Sequence, residues 1–234
     1  MPTKTVLNEK KRKIQLTYNE SEGRVTIWYK ESNEPEDNQF GKIVESVRLA
    51  REMVDKALQL LPQRSGNDLV KKVLDYHFRT PSEKQIKAII ESFEHIKGGL
   101  DGQVILCLAK ALSANERGQT TDTQNVDDSG FTIYRIHLNT NILCDLDEQI
   151  ARTIVHEASH AFAETPGTTT SKRAYDEDDE DTDEKEVYVY DKAYQSQEPK
   201  EAKKCADSYA WGALSLFKGF LCKPNYCLES SGPR

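Results

Sequence analysis

The sequence predicts an α+β fold, mostly helical, with a small antiparallel sheet and an N-terminal β-hairpin. Three observations predict it. Apolar residues recur at helical spacing over several long stretches, whereas the β-rich segments are few and short. Helices and strands also lack the regular alternation that would build a parallel sheet. The chain has 234 residues, which suits one domain of ordinary size with a small appendage. The division expected is a hairpin and linker over 1–38, then one domain over 39–234 with an acidic insertion at 169–187.

The elements follow in order. Residues 13–18 (KIQLTY) and 24–29 (RVTIWY) are β-rich and flank NESEG, a turn-like segment with glycine last, so a hairpin is expected. After the polar linker SNEPEDNQ, residues 40–61 carry Ile43, Val44, Val47, Leu49, Met53, Leu58 and Leu61 at helical spacing, and Pro62 stops them. Asn67 is placed to cap a second helix with Leu69, Val70, Val73, Leu74 and His77 along it. Thr80 is read as the cap of a third, with Pro81 in its first position and Gly98-Gly99 at its end. Residues 103–108 (QVILCL) and 131–138 (FTIYRIHL) read as strands. Asp145 and Glu148 form a capping-box pair for a helix that runs to about Glu164, where Pro166-Gly167 breaks it. The last helix is expected over about 201–217.

Charge narrows the partners. The net charge is −7, yet residues 176–186 (DEDDEDTDEKE) hold nine acids and one lysine, so the rest of the chain is close to neutral. The short basic cluster KKRK at 10–13 reads as a solvated end, and nucleic acid is not an expected partner. No apolar run approaches the ~18 residues a membrane span needs, and no membrane partner is expected. The N-terminus lacks an apolar signal core. Secretion, by a signal-independent route or with a leader missing, is favoured over a cytoplasmic location. Five cysteines without a Cys-x-x-Cys argue against a zinc-thiolate site, and Cys222 and Cys227 are close enough for a local disulfide in an oxidising compartment.

The segment VHEASHAF (155–162) carries the chemistry. Residues four apart share a helix face, so His156 and His160 can present nitrogens to one ion. Zinc takes such ligands at about 2.0–2.1 Å in a tetrahedron and lowers the pKa of its water to about 7. Glu157, beside the pair, can then take the proton of that water as general base. Ile150, Ile154, Val155, Ala158, Ala161 and Phe162 make the helix largely apolar. Two histidines and a glutamate buried there need partners, which a Zn2+ ion supplies. The strand 131–138 is expected to be an edge strand that holds an extended substrate through its main chain.

A catalytic zinc needs a third protein ligand. His77, His95 and His137 lie upstream and read as ordinary surface or strand histidines, and no histidine follows His160. The carboxylate candidates are Glu164, the acidic run, Asp191, Glu201 and Asp207. Helical continuation carries Glu164 away from the ion, and the acidic run reads as a solvated loop or a lid. Asp191 stands out, in the apolar-aromatic island VYVYDKAY. The spacing Asp-x-x-Tyr adds Tyr194, whose phenol can donate to the oxyanion formed when water attacks a carbonyl.

HEASH (156–160), DKAY (191–194) and CADSYA (205–210) together resemble the aspzincin metallopeptidases, the deuterolysin and peptidyl-lysine metalloendopeptidase group. The resemblance implies a zincin-like fold over about 40–218 and a Zn2+ held by His156, His160 and Asp191. It implies Glu157 as general base, Tyr194 at the oxyanion, and Asp207 near the pocket for the residue after the scissile bond. This chain departs from the family where an insertion separates Gly167-Thr168 from Asp191. It also departs at Ala210, where the lysine-selective branch has an acid. The function expected is a zinc endopeptidase acting on a protein or peptide substrate. The alternative is an effector or toxin-like binding module on the same fold, with silent or single-target proteolysis.

Overall fold

The computed structural model describes residues 3–8, 13–20, 23–30, 34–109, 117–121, 135–165 and 187–223. The acidic insertion and Cys227 lie outside these residues.

Among the described residues six strands form one sheet in the order β1-β2-β3-β4-β6-β5. They are β1 (Thr3–Asn8), β2 (Lys13–Glu20), β3 (Gly23–Lys30), β4 (Gln103–Ala109), β5 (Gly118–Thr121) and β6 (Arg135–Asn139). The expected hairpin is β2–β3, antiparallel with Leu16 opposite Ile27. Its second strand continues the sheet by pairing in parallel with β4, Ile27 opposite Leu106. β4 in turn pairs in parallel with β6. The sheet is therefore mixed rather than wholly antiparallel. A parallel pair needs a long crossover, and the helical segment between β3 and β4 supplies it. Val25, Ile27 and Tyr29 alternate along β3 and are buried in the same core as the helices. The hairpin is thus built into the main sheet. Each such large apolar side chain contributes about 1.5–3 kcal/mol by burial.

Two strands were not legible beforehand, β1 and β5, and they are the two edges. The strand expected at an edge, 131–138, is described from Arg135 as β6 and lies inside the sheet between β4 and β5. Among the described residues the edge strand on that side is β5, a short run of Gly, Gln and Thr with no apolar pattern to betray it.

The helices are α1 (Asp37–Leu60), α2 (Asp68–Phe78), α3 (Glu83–Asp101), α4 (Asp147–Ala163), α5 (Lys192–Ser196), α6 (Pro199–Ala202) and α7 (Ala206–Lys218). Asn67 caps α2 as expected, its Oδ1 accepting from the amides of Leu69 and Val70 at 3.1 and 3.2 Å. The cap of α3 is Ser82, in a reciprocal box with Gln85, and not Thr80. Thr80 instead stands at φ 52°, in the left-handed turn that Arg79 opens at φ 60°. The capping box foreseen at Asp145 and Glu148 is absent as well. Asp145 accepts from Arg117 at 2.6 Å and Glu148 from Lys218 at 2.8 Å, and Leu146 holds the cap position. The helix expected over 201–217 is divided, because Cys205 is extended (φ −86°, ψ 119°) and α7 starts only after it.

The helix α4 packs against α1, α3, α7 and β5, so it is enclosed on most sides. α7 also packs on α2, and closely at Gly212, where an added Cβ would stand 3.2 Å from the Phe78 ring. Among the described residues no helix is long and apolar enough to cross a membrane.

Candidate metal centre

The last two turns of α4 present His156, Glu157 and His160. The last turn of α4 closes on Glu164, an exposed residue in the left-handed region at φ 53°. A non-glycine residue pays for that conformation, and here it folds the chain back over the helix end. Thr165 consequently returns to His160, whose Nδ1 donates to the Thr165 carbonyl at 2.9 Å. A carbonyl only accepts, so Nδ1 carries the hydrogen. The Thr165 hydroxyl also lies 3.1 Å from that of Ser159, which itself donates to the His156 carbonyl at 2.7 Å.

The second imidazole is fixed from α7. His156 Nδ1 lies 2.8 Å from Asp207 Oδ1, and Asp207 Oδ2 accepts from the Val189 amide at 2.7 Å. Burial alone would raise the Asp207 carboxyl. The hydrogen bond and charge of His156, the Arg152 guanidinium and the Val189 amide outweigh it and hold the acid below its usual range. Asp207 is ionised and only accepts, so His156 also carries its hydrogen on Nδ1. Arg152, 3.9 Å from Asp207, stacks over Trp211 and supplies a compensating charge.

With both Nδ1 atoms donating, the Nε2 lone pairs face each other, 3.3 Å apart. Two nitrogen lone pairs at that distance repel unless a cation or proton lies between them. Two ligands of a tetrahedral zinc, each at about 2.0–2.1 Å, stand about 3.3–3.4 Å apart. The pair fits two corners of such a site, and each imidazole already has the outer hydrogen bond that zinc-ligating histidines make.

Glu157, one position round the helix from His156, points toward β5. It is 4 % exposed, and Oε2 accepts from the Thr120 hydroxyl at 3.0 Å. HEASH is thus brought together as its spacing suggested.

The remaining expected residues are distributed differently. Among the described residues no group of three or more His, Cys, Asp or Glu side chains is arranged to hold an ion. Asp191 immediately precedes α5, half-buried, and its Oδ2 accepts from the Tyr188 amide at 2.9 Å. It is not gathered with the imidazoles into a three-ligand group. Tyr194 is fully buried, its hydroxyl 2.9 Å from His77 Nδ1 and 3.4 Å from Ser208 Oγ. Asp207, 2 % exposed, has both oxygens engaged by the chain itself. Of the other carboxylate candidates, Glu164 lines a groove between α3 and α4 that His95 also lines, and Glu201 is exposed on α6, its Oε2 accepting from the Glu198 amide at 2.9 Å. His137 lies on β6, half-buried. His77 is neither a surface nor a strand histidine: it is fully buried on α2, between Tyr194 and Ser215.

Sequence reasoning missed three contributors. Tyr188 stacks parallel on the His156 ring, centroids 6.0 Å apart, and Tyr190 stacks on Tyr188 at 5.4 Å. The alternation in VYVYD was the signal for both. Thr120 had no signal at all.

No family model matches the chain, and no curated protein matches it. Among solved structures, a zinc peptidase from Grifola frondosa matches with a TM-score of 0.52 and 14% identity. The match covers 77% of this chain and 97% of that one. At that identity the likeness shows the fold, which is zincin-like.

Proposed function

We propose that this chain is a zinc-dependent endopeptidase. The observation that carries the reading is the imidazole pair. Two Nε2 atoms 3.3 Å apart, each ring fixed through Nδ1, stand beside a buried carboxylate on the same helix turn. The fold shared with a zinc peptidase agrees with it.

His156 and His160 would hold the ion, and Asp191 is the carboxylate proposed as third ligand. Its support is position: Asp191 shares a turn with Tyr188, which lies against His156. Zinc held there would supply a Lewis acid and a water acidic enough to be deprotonated near neutral pH. Glu157 is the proposed general base, its carboxylate accepting a proton and returning it to the leaving amine. The outer edge of β5 offers main-chain hydrogen bonds to an extended peptide. Tyr194 is proposed at the oxyanion only by the resemblance of DKAY. Asp207, with both oxygens taken, is better supported as the group that orients His156 than as a pocket wall.

The test is metal content with proteolysis of a peptide library. About one zinc per chain is expected, and Glu157→Gln should keep that zinc and the fold while losing roughly 100- to 10,000-fold in turnover. Asp191→Ala should lower zinc content. Glu157→Gln cleaving like the parent overturns the mechanism. Stoichiometric zinc with no cleavage across the library favours the effector or toxin-like binding module.

A further inference from the structure

The strand β5 reaches the general-base side of α4 with two unusual neighbours for Glu157. The single hydrogen of the Thr120 hydroxyl is directed at Glu157, 2.9 Å from its main-chain oxygen and 3.0 Å from Oε2. Two residues back, Gly118 leaves the space the carboxylate occupies. A Cβ there would stand 2.7 Å from Oε1, 2.9 Å from Cγ and 3.0 Å from Cδ. Real Cβ atoms do not approach so closely, and the carboxylate end, being the mobile party, would be the one to move.

The strand itself is firmly seated. Arg117, just before it, donates to Thr153 one turn earlier on α4 at 3.2 Å and to Asp145 at 2.6 Å. The Asn139 amide donates to the Arg117 carbonyl at 2.9 Å. β5 is therefore fixed to the helix independently of Thr120, and the Thr120 hydroxyl is not needed to hold it there.

We propose that Gly118 and Thr120 form the seat of the Glu157 carboxylate, Thr120 as a positioning residue by hydrogen bonding and Gly118 by absence of a side chain. This rests on the endopeptidase reading above. Edge strand and base are thereby coupled: the element that offers its main chain to an extended peptide also sets where the proton acceptor stands. A misplacement of about 1 Å in such a group costs on the order of 100-fold in rate.

The test uses the full-length zinc-loaded chain with Thr120→Val, Thr120→Ser, Gly118→Ala and Glu157→Gln. Thr120→Val keeps the β-branched shape and zinc content but should lower kcat by roughly 10- to 100-fold with KM little changed. Thr120→Ser should restore most of it, and Gly118→Ala should resemble Thr120→Val. In a Glu157→Gln background, Thr120→Val should cause no further loss. A readout independent of turnover is the Glu157 Cδ resonance, which should shift in Thr120→Val and return toward the parent in Thr120→Ser. Parental kcat or an unmoved resonance in Thr120→Val overturns the proposal alone. So does equal impairment by valine and serine, or an undiminished further loss on Glu157→Gln. Parental activity in Glu157→Gln itself overturns the endopeptidase reading, and the seat with it.

Discussion

Acidification should unfold this protein partly through His77. The ring is fully buried, with Nδ1 2.9 Å from the Tyr194 hydroxyl and Nε2 3.3 Å from Ser215 Oγ. Burial, and secondarily the charge of Arg79, push its pKa down from 6.5 to about 3, against the opposing pull of Asp207. The folded protein thus keeps His77 neutral while the unfolded chain takes up a proton below pH 6.5. Between about pH 6.5 and 3 the unfolded state binds more protons, so stability falls as pH falls through that window. A depression of this size is worth about 5 kcal/mol in full, of which about 2 kcal/mol is lost by pH 5. The comparison is His77→Asn, which keeps a polar partner for Tyr194 and cannot titrate. Urea unfolding of both proteins at pH 8, 6, 5 and 4 gives the difference in stability at each pH. Any constant cost of the substitution, and any metal-linked dependence common to both, cancels in the change of that difference. The parent should lose about 2 kcal/mol more than His77→Asn between pH 8 and 5. Parallel profiles would show that His77 takes up its proton without unfolding, and the argument from burial would be wrong.

Two further predictions concern the imidazole pair. Asp207→Asn keeps the shape of the carboxylate but can accept on one atom only, so either His156 or the Val189 amide loses its acceptor. Zinc affinity, read by competition with a chromophoric chelator, should fall about 10- to 100-fold, and an unchanged affinity would remove Asp207 from its orienting role. Glu164 adopts φ 53° at the end of α4. Glu164→Gly should therefore raise stability by about 0.5–1 kcal/mol in thermal or urea unfolding without changing zinc content. A loss of stability would mean that the Glu164 side chain contributes more than its backbone costs.

The sequence by itself determined the helix that carries HEASH and the meeting of His156 with His160. Both follow from the 3.6-residue period, which acts over four residues and needs no knowledge of the rest of the chain. The Asn67 cap and the β2–β3 hairpin are legible for the same reason: their partners lie within a few positions. Tertiary structure alone decided which side chains surround that helix. Asp207 reaches His156 across 51 residues, Thr120 reaches Glu157 across 37, and Tyr194 turns to His77 across 117. Local propensity does not encode such pairings. They depend on how α7 and β5 pack on α4 and how α2 packs on α7, and the four residues of β5, without an apolar pattern, form a strand where β6 and α4 receive them.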